Sequence, residues 1–129
     1  MQATAPRITI IEADNDALFL LKKALTEAGY IVGSCTDASG IVNIEQGLPD
    51  LFVLDKNLSS TDGSDVSKFL RAQQATRDTP IVMISAWPLK QKAKLAGVNE
   101  FIQKPFHIDH VLKVLRKYTD ELPNRVKAK

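Results

Sequence analysis

Short apolar runs recur five times along the chain, at 8–11, 30–35, 51–54, 81–84 and 101–103. Between them lie longer stretches in which apolar residues return every three or four positions. The first pattern predicts strands and the second amphipathic helices. Leu51, Phe52, Val53 and Leu54 form an unbroken apolar run that leads straight into Asp55, which suits a strand buried on both faces of a parallel sheet. The helical stretches put Leu18, Leu21, Leu25 and Ala28 on one face, then Ile41 and Ile44, then Val66, Phe69 and Leu70. The last one presents Val111, Leu112, Val114, Leu115 and Tyr118. Asn15 or Asp16 can cap the first helix and Asp37 the second, and Pro88 suits the first turn of the fourth. Gly29, Gly47 and Gly97 are placed to end helices, and Pro123 to end the ordered chain.

Strict strand–helix alternation predicts the α/β class, with right-handed crossovers between parallel strands. Five such units suit a single doubly wound five-stranded parallel sheet, order 2-1-3-4-5, flavodoxin-like, with helices on both faces. The 129 residues suffice for one domain with its own core, expected over 1–122, with 123–129 a polar, basic tail or linker remnant. A formal charge of +2 gives no support for direct nucleic-acid or membrane binding. The single cysteine, Cys35, excludes an internal disulfide and a cysteine-cluster metal site. No apolar run approaches the ~20 residues of a membrane span and no signal peptide is visible, so the expected location is cytoplasmic.

Four polar residues close these runs: Glu12, Asp55 and Ser85 directly after an apolar residue, and Lys104 after Gln103. Parallel strands bring such positions to one edge of the sheet, where open α/β sheets bind ligands. A nucleophilic carboxylate, a second carboxylate, a hydroxyl and an ammonium gathered there suit phosphoryl transfer to an aspartate. Asp55 would attack phosphorus and form an acyl phosphate. A divalent cation on Glu12, Asp55 and a nearby carbonyl would offset the phosphoryl charge. Lys104 would pair with one phosphoryl oxygen and Ser85 would hydrogen-bond another. Plainer roles stand beside these. Glu12 can form a standing ion pair with Lys104, and Asp14, Asn15 and Asp16 suit helix capping. Lys56 reads as a solvated side chain at the rim, and His107, Asp109 and His110 as polar residues opening the last helix.

The stretches IIEAD (10–14), LFVLDKNLSSTDG (51–63), PIVMISA (80–86) and FIQKPF (101–106), in this order and spacing, resemble the response-regulator receiver domain of two-component signalling (CheY-like). The resemblance covers about 7–122. It implies that Asp55 accepts phosphate from a histidine kinase or phosphotransfer protein with Mg²⁺ bound. It implies that the Asn57 backbone carbonyl joins the metal, that Gly63 turns the chain below the site, and that the Lys104–Pro105 bond is cis. Ser85 and Phe101 would act as the switch, altering a face built from the fourth helix, fifth strand and fifth helix, which meets a downstream protein or output domain. Such a domain catalyses only its own phosphorylation and dephosphorylation.

The chain departs from the family at Ala13, where a second acidic residue usually ligates the metal. Asp14 could substitute only if the turn shifted by a residue, so Mg²⁺ is expected to bind weakly. Ser59 replaces a common proline. The segment between Ser85 and Lys104 is about one helical turn short, and Trp87 is expected to overhang the site. Ala13 favours one alternative, a pseudo-receiver that signals without phosphate. A flavin carrier of the same strand order is disfavoured by the negative charges of EADND (12–16).

Overall fold

The computed structural model describes residues 3–35, 48–58 and 62–129. Five parallel strands, β1 (Arg7–Ile11), β2 (Ile31–Cys35), β3 (Leu51–Asp55), β4 (Ile81–Ser85) and β5 (Glu100–Gln103), pair in the order β2-β1-β3-β4-β5, the expected topology. The described helices are α1 (Asn15–Glu27), α2 (Gly63–Ala72), α3 (Lys90–Leu95) and α4 (Ile108–Thr119). The predicted helix bearing Ile41 and Ile44, with Asp37 and Gly47 at its ends, lies outside the described residues, as does Ser59. Thus α3 and α4 are the fourth and fifth predicted helices.

β3 and β4 are buried at every position, as their unbroken apolar runs require, because helices cover both faces. Alternate residues feed two cores. Ile8, Ile10, Leu51, Val53, Val82 and Ile84 pack with Leu21 and Leu25 of α1 and Val111 and Leu115 of α4. Ile11, Phe52, Leu54, Ile81 and Met83 pack on the other face with Val66 and Leu70 of α2 and Ala93 of α3. Each fully buried side chain of this size contributes about 1.5–3 kcal/mol, so strand register is strongly held.

The helix ends and flanks differ from expectation in four places. Of the three residues suited to capping, Asp14 caps α1 rather than Asn15 or Asp16: its backbone is extended, and its Oδ1 accepts the Asp16 N–H at 2.9 Å and the Ala17 N–H at 3.4 Å. Phe69 faces outward, 49% exposed. Gly63, Ser67 and Leu70 are buried, which centres the inward stripe on the side of Val66 away from Phe69. The hydroxyl of Ser67 donates to the Ala96 carbonyl at 2.7 Å. Pro88 precedes α3 rather than starting it, because the Leu89 N–H turns back to the Trp87 carbonyl (2.9 Å) and Leu89 is not helical. Finally, order does not end at Pro123. Val126 donates to the Thr4 carbonyl at 2.8 Å, Arg125 pairs with Asp50, and Ala128 packs on the α1/α4 core. Among the described residues no helix is long and apolar enough to cross a membrane.

Candidate functional site

The parallel register aligns Ile11 with Leu54, Asp55 with Ile84, and Ser85 with Gln103. Residues at or just past these positions therefore collect at the carboxyl edge of the sheet. Glu12 follows β1, Asp55 ends β3, Ser85 ends β4 and Lys104 follows β5. Glu12 is 1% exposed, Asp55 6% and Ser85 0%. The Lys104 ammonium lies 3.2 and 3.3 Å from the two Glu12 carboxylate oxygens and 3.8 Å from Asp55 Oδ2. The other Asp55 oxygen, Oδ1, accepts the Asn57 N–H at 3.2 Å. Ser85 lies beside Lys104 through the backbone, its carbonyl accepting the Lys104 N–H at 2.7 Å. Its hydroxyl oxygen accepts the Trp87 N–H at 3.1 Å, which leaves the hydroxyl proton available for donation. The Lys104–Pro105 peptide is cis.

One ammonium thus faces two buried carboxylates. Burial raises the Glu12 carboxyl to about 7, and its hydrogen bond and charge repulsion with Asp55 add to the rise. The nearby Lys104 ammonium and the Asp14 N–H only partly offset this. The chief physical cause is burial away from water, and one ammonium shared between two carboxylates compensates it only in part. Near neutrality Glu12 is divided between its protonated and ionised forms.

The two described ends of the segment that leaves β3 are held more firmly than their polar sequence suggests. Lys56, expected to be solvated, is 6% exposed, and its ammonium lies 2.6 Å from Asp62 Oδ2. Burial favours the neutral form of Asp62, but Lys56 and the Ser64 N–H outweigh it and hold this carboxyl below its ordinary value. Asp62 Oδ1 accepts the Ser64 N–H at 2.7 Å and caps α2. The Gly63 N–H donates to the Lys56 carbonyl at 2.7 Å. A Cβ on Gly63 would overlap the Asp55 carbonyl oxygen and lie 2.9 Å from the Lys56 Cα. Glycine is therefore required here by close backbone approach rather than by φ. The sequence signal for the Lys56–Asp62 pair was faint: opposite charges at the two ends of one loop, next to a glycine.

The response regulator receiver domain family matches residues 8–116. The chain belongs to that family. This receiver domain is 33% identical to the DNA-binding dual master transcriptional regulator RpaA of Synechocystis sp., over 95% of the domain and 54% of that protein. It is 31% identical to the transcriptional regulatory protein PrrA of Mycobacterium tuberculosis, over 80% of the domain and 45% of that protein. The chain spans about half the length of these relatives. Among solved structures, the chemotaxis protein CheY4 of Vibrio cholerae superposes with a TM-score of 0.82 at 25% identity, covering 90% of this chain and 99% of that one. The receiver domain of the sensor histidine kinase PA1611 of Pseudomonas aeruginosa, described with magnesium in its active-site cleft, superposes with a TM-score of 0.82. It is 22% identical and covers 92% of this chain and 100% of that one.

Receiver domains bind Mg²⁺ in this cleft, and the donor set here fits such an ion only thinly. Two carboxylates, Glu12 and Asp55, share the ammonium of Lys104, and Mg²⁺ is commonly held by one or two carboxylates with waters and phosphate oxygens. Among the described residues no group of three or more His, Cys, Asp or Glu is gathered for a metal. Ala13 offers no side-chain donor, and Asp14 spends Oδ1 on the α1 cap. Asn57 is exposed and pairs with Asp62 across the loop. Phe101 is half-buried against the α2/α3 core.

Proposed function

We propose that this receiver domain takes a phosphoryl group onto Asp55 from a histidine kinase or phosphotransfer protein in the cytoplasm. An Asp55 oxygen attacks phosphorus opposite the P–N bond of a phosphohistidine. The P–O bond forms as the P–N bond breaks, and the imidazole leaves with the electron pair. Lys104, already within reach of Asp55, turns from Glu12 to a phosphoryl oxygen. The Ser85 hydroxyl donates to another, and Phe101 moves into the space this opens. Glu12, Asp55 and the Asn57 carbonyl would hold Mg²⁺, which would offset charge on the phosphoryl oxygens. The face of α3, β5 and α4 then changes its fit for a downstream protein or output domain, with no direct nucleic-acid contact by this domain. Water later hydrolyses the acyl phosphate, and no external metabolite is transformed.

One observation supports this reading above the rest: a single ammonium stands between two buried carboxylates at the sheet's carboxyl edge. A second reading, a pseudo-receiver that signals without phosphate, is favoured by Ala13 and by the standing Lys104–Glu12 pair. Trp87, the only tryptophan, separates them. Mg²⁺ followed by acetyl phosphate or beryllofluoride is expected to change its fluorescence, and Asp55→Asn to abolish the second change. No response at millimolar Mg²⁺, with no mass gain from phosphate, would establish the pseudo-receiver. Ala13→Asp is expected to tighten Mg²⁺; unchanged affinity would mean that this position does not face the metal.

A further inference from the structure

Lys56 is a buried ammonium that the phosphoryl chemistry does not use. Burying a lysine is costly unless a partner compensates, and an apolar chain of similar length would pack the same space without that cost. Its partner has another task already: Asp62 caps α2 through Oδ1, while the lysine takes Oδ2. The pair is therefore not needed for the cap.

What the pair does hold is the neck of the loop between β3 and α2. Lys56 and Asp62 stand six residues apart. Beside the ion pair, Asn57 and Asp62 meet in an antiparallel bridge, and Gly63 donates to the Lys56 carbonyl. The Asn57 N–H in turn holds Asp55 Oδ1. A contiguous set of contacts thus runs from the ion pair, through the neck, to one oxygen of the phosphoacceptor.

We propose that Lys56 and Asp62 are positioning residues: their part-buried ion pair clamps the loop neck and so fixes the Asn57 amide that orients the Asp55 carboxylate for attack. The role rests on Asp55 being the phosphoacceptor. β3 is fixed by its neighbours and α2 by its cap, so the clamp acts on the loop between them. Reaction at a carboxylate is sensitive to displacements of this kind.

The test uses Lys56→Met, Lys56→Arg and Asp62→Asn; asparagine at 62 still caps the helix. Two quantities are measured beside thermal stability: amide hydrogen exchange at Asn57, and the rate of mass gain with acetyl phosphate and Mg²⁺. In Lys56→Met and Asp62→Asn, Asn57 exchange is expected to be about tenfold faster or more, and phosphorylation about tenfold slower. Lys56→Arg is expected to recover most of both. Unchanged exchange at Asn57 overturns the clamp, and so does faster exchange with an unchanged phosphorylation rate. If the unmodified chain takes no phosphate, the phosphoacceptor reading falls, and exchange at Asn57 alone decides the clamp. Should Lys56→Met fail to fold, Asp62→Asn carries both readouts.

Discussion

The two ends of β3 carry opposite solutions to the same problem. At its start, Asp50 accepts the Arg7 N–H at 2.8 Å and both arms of Arg125, Nε at 2.8 Å and Nη2 at 3.2 Å. One carboxylate meets one planar, two-pronged cation, a geometry of strong charge-assisted hydrogen bonds. At its finish, Asp55 shares the point charge of Lys104 with Glu12, at distances from 3.2 to 3.8 Å. The first end is complete, and it ties residue 125 back against β1 and β3. The second is short of positive charge, and the raised Glu12 registers the shortage. A complete end can only hold, whereas an incomplete one is ready to exchange a proton, a cation or a phosphoryl group.

The strongest way to break the contrast is to displace the reactive end bodily. Gly63→Ala puts a Cβ onto the Asp55 carbonyl and against the Lys56 Cα, where only backbone can give way. A loss of about 3 kcal/mol in urea unfolding is expected, with phosphorylation by acetyl phosphate lost alongside. A variant as stable as the original would mean that the loop yields freely, contrary to the clamp described above.

A next-largest effect follows from Glu12. With its carboxyl at about 7 in the fold against an ordinary 4.5, the folded chain keeps a proton that the unfolded chain has released between those values. The stability this contributes is fully present below 4.5 and disappears as pH rises through 7. At 1.36 kcal/mol per pH unit, the loss is about 3 kcal/mol. Asp62 and Glu100, both held low, act the other way. Their contributions fade only as the pH drops below the ordinary carboxylate range, so a comparison of about pH 5 with pH 8 isolates Glu12. Asp55→Asn removes the repulsion but leaves the burial, the larger cause, and is expected to make this slope shallower. An equally steep slope in that variant would show that Asp55 does not set the proton on Glu12.

Much of this was readable in the residues. The unbroken runs at 51–54 and 81–84 mark central strands because only strands covered on both faces tolerate them, and strict alternation then leaves few topologies. Glu12, Asp55, Ser85 and Lys104 could be placed at one edge because parallel register carries every strand end to the same side. The pairings across long separations were not readable. Arg125 and Asp50 are 75 residues apart, and nothing local marks a basic tail as docked. Lys56 looked solvated because its burial depends on where α2 begins, and Phe69 looked inward because the stripe of α2 is completed by Ser67, a polar residue. Tertiary packing decided both.

The smallest effect belongs to the complete end. Arg125→Ala removes a bidentate partner that is 28% exposed, so solvent screening limits the loss to about 1 kcal/mol. This loss is expected to be equal at about pH 5 and pH 8, because the partner of Asp50 does not titrate in that window. The Trp87 response to Mg²⁺ and acetyl phosphate is expected to stay unchanged, since the Asp50–Arg125 pair and the Lys104 site are separated by the full length of β3. Thermal melts at the two pH values and a fluorescence titration check both statements. If Arg125→Ala alters the acetyl phosphate response, the complete end does more than hold: the docked tail and the Asp55 edge would then be coupled through β3.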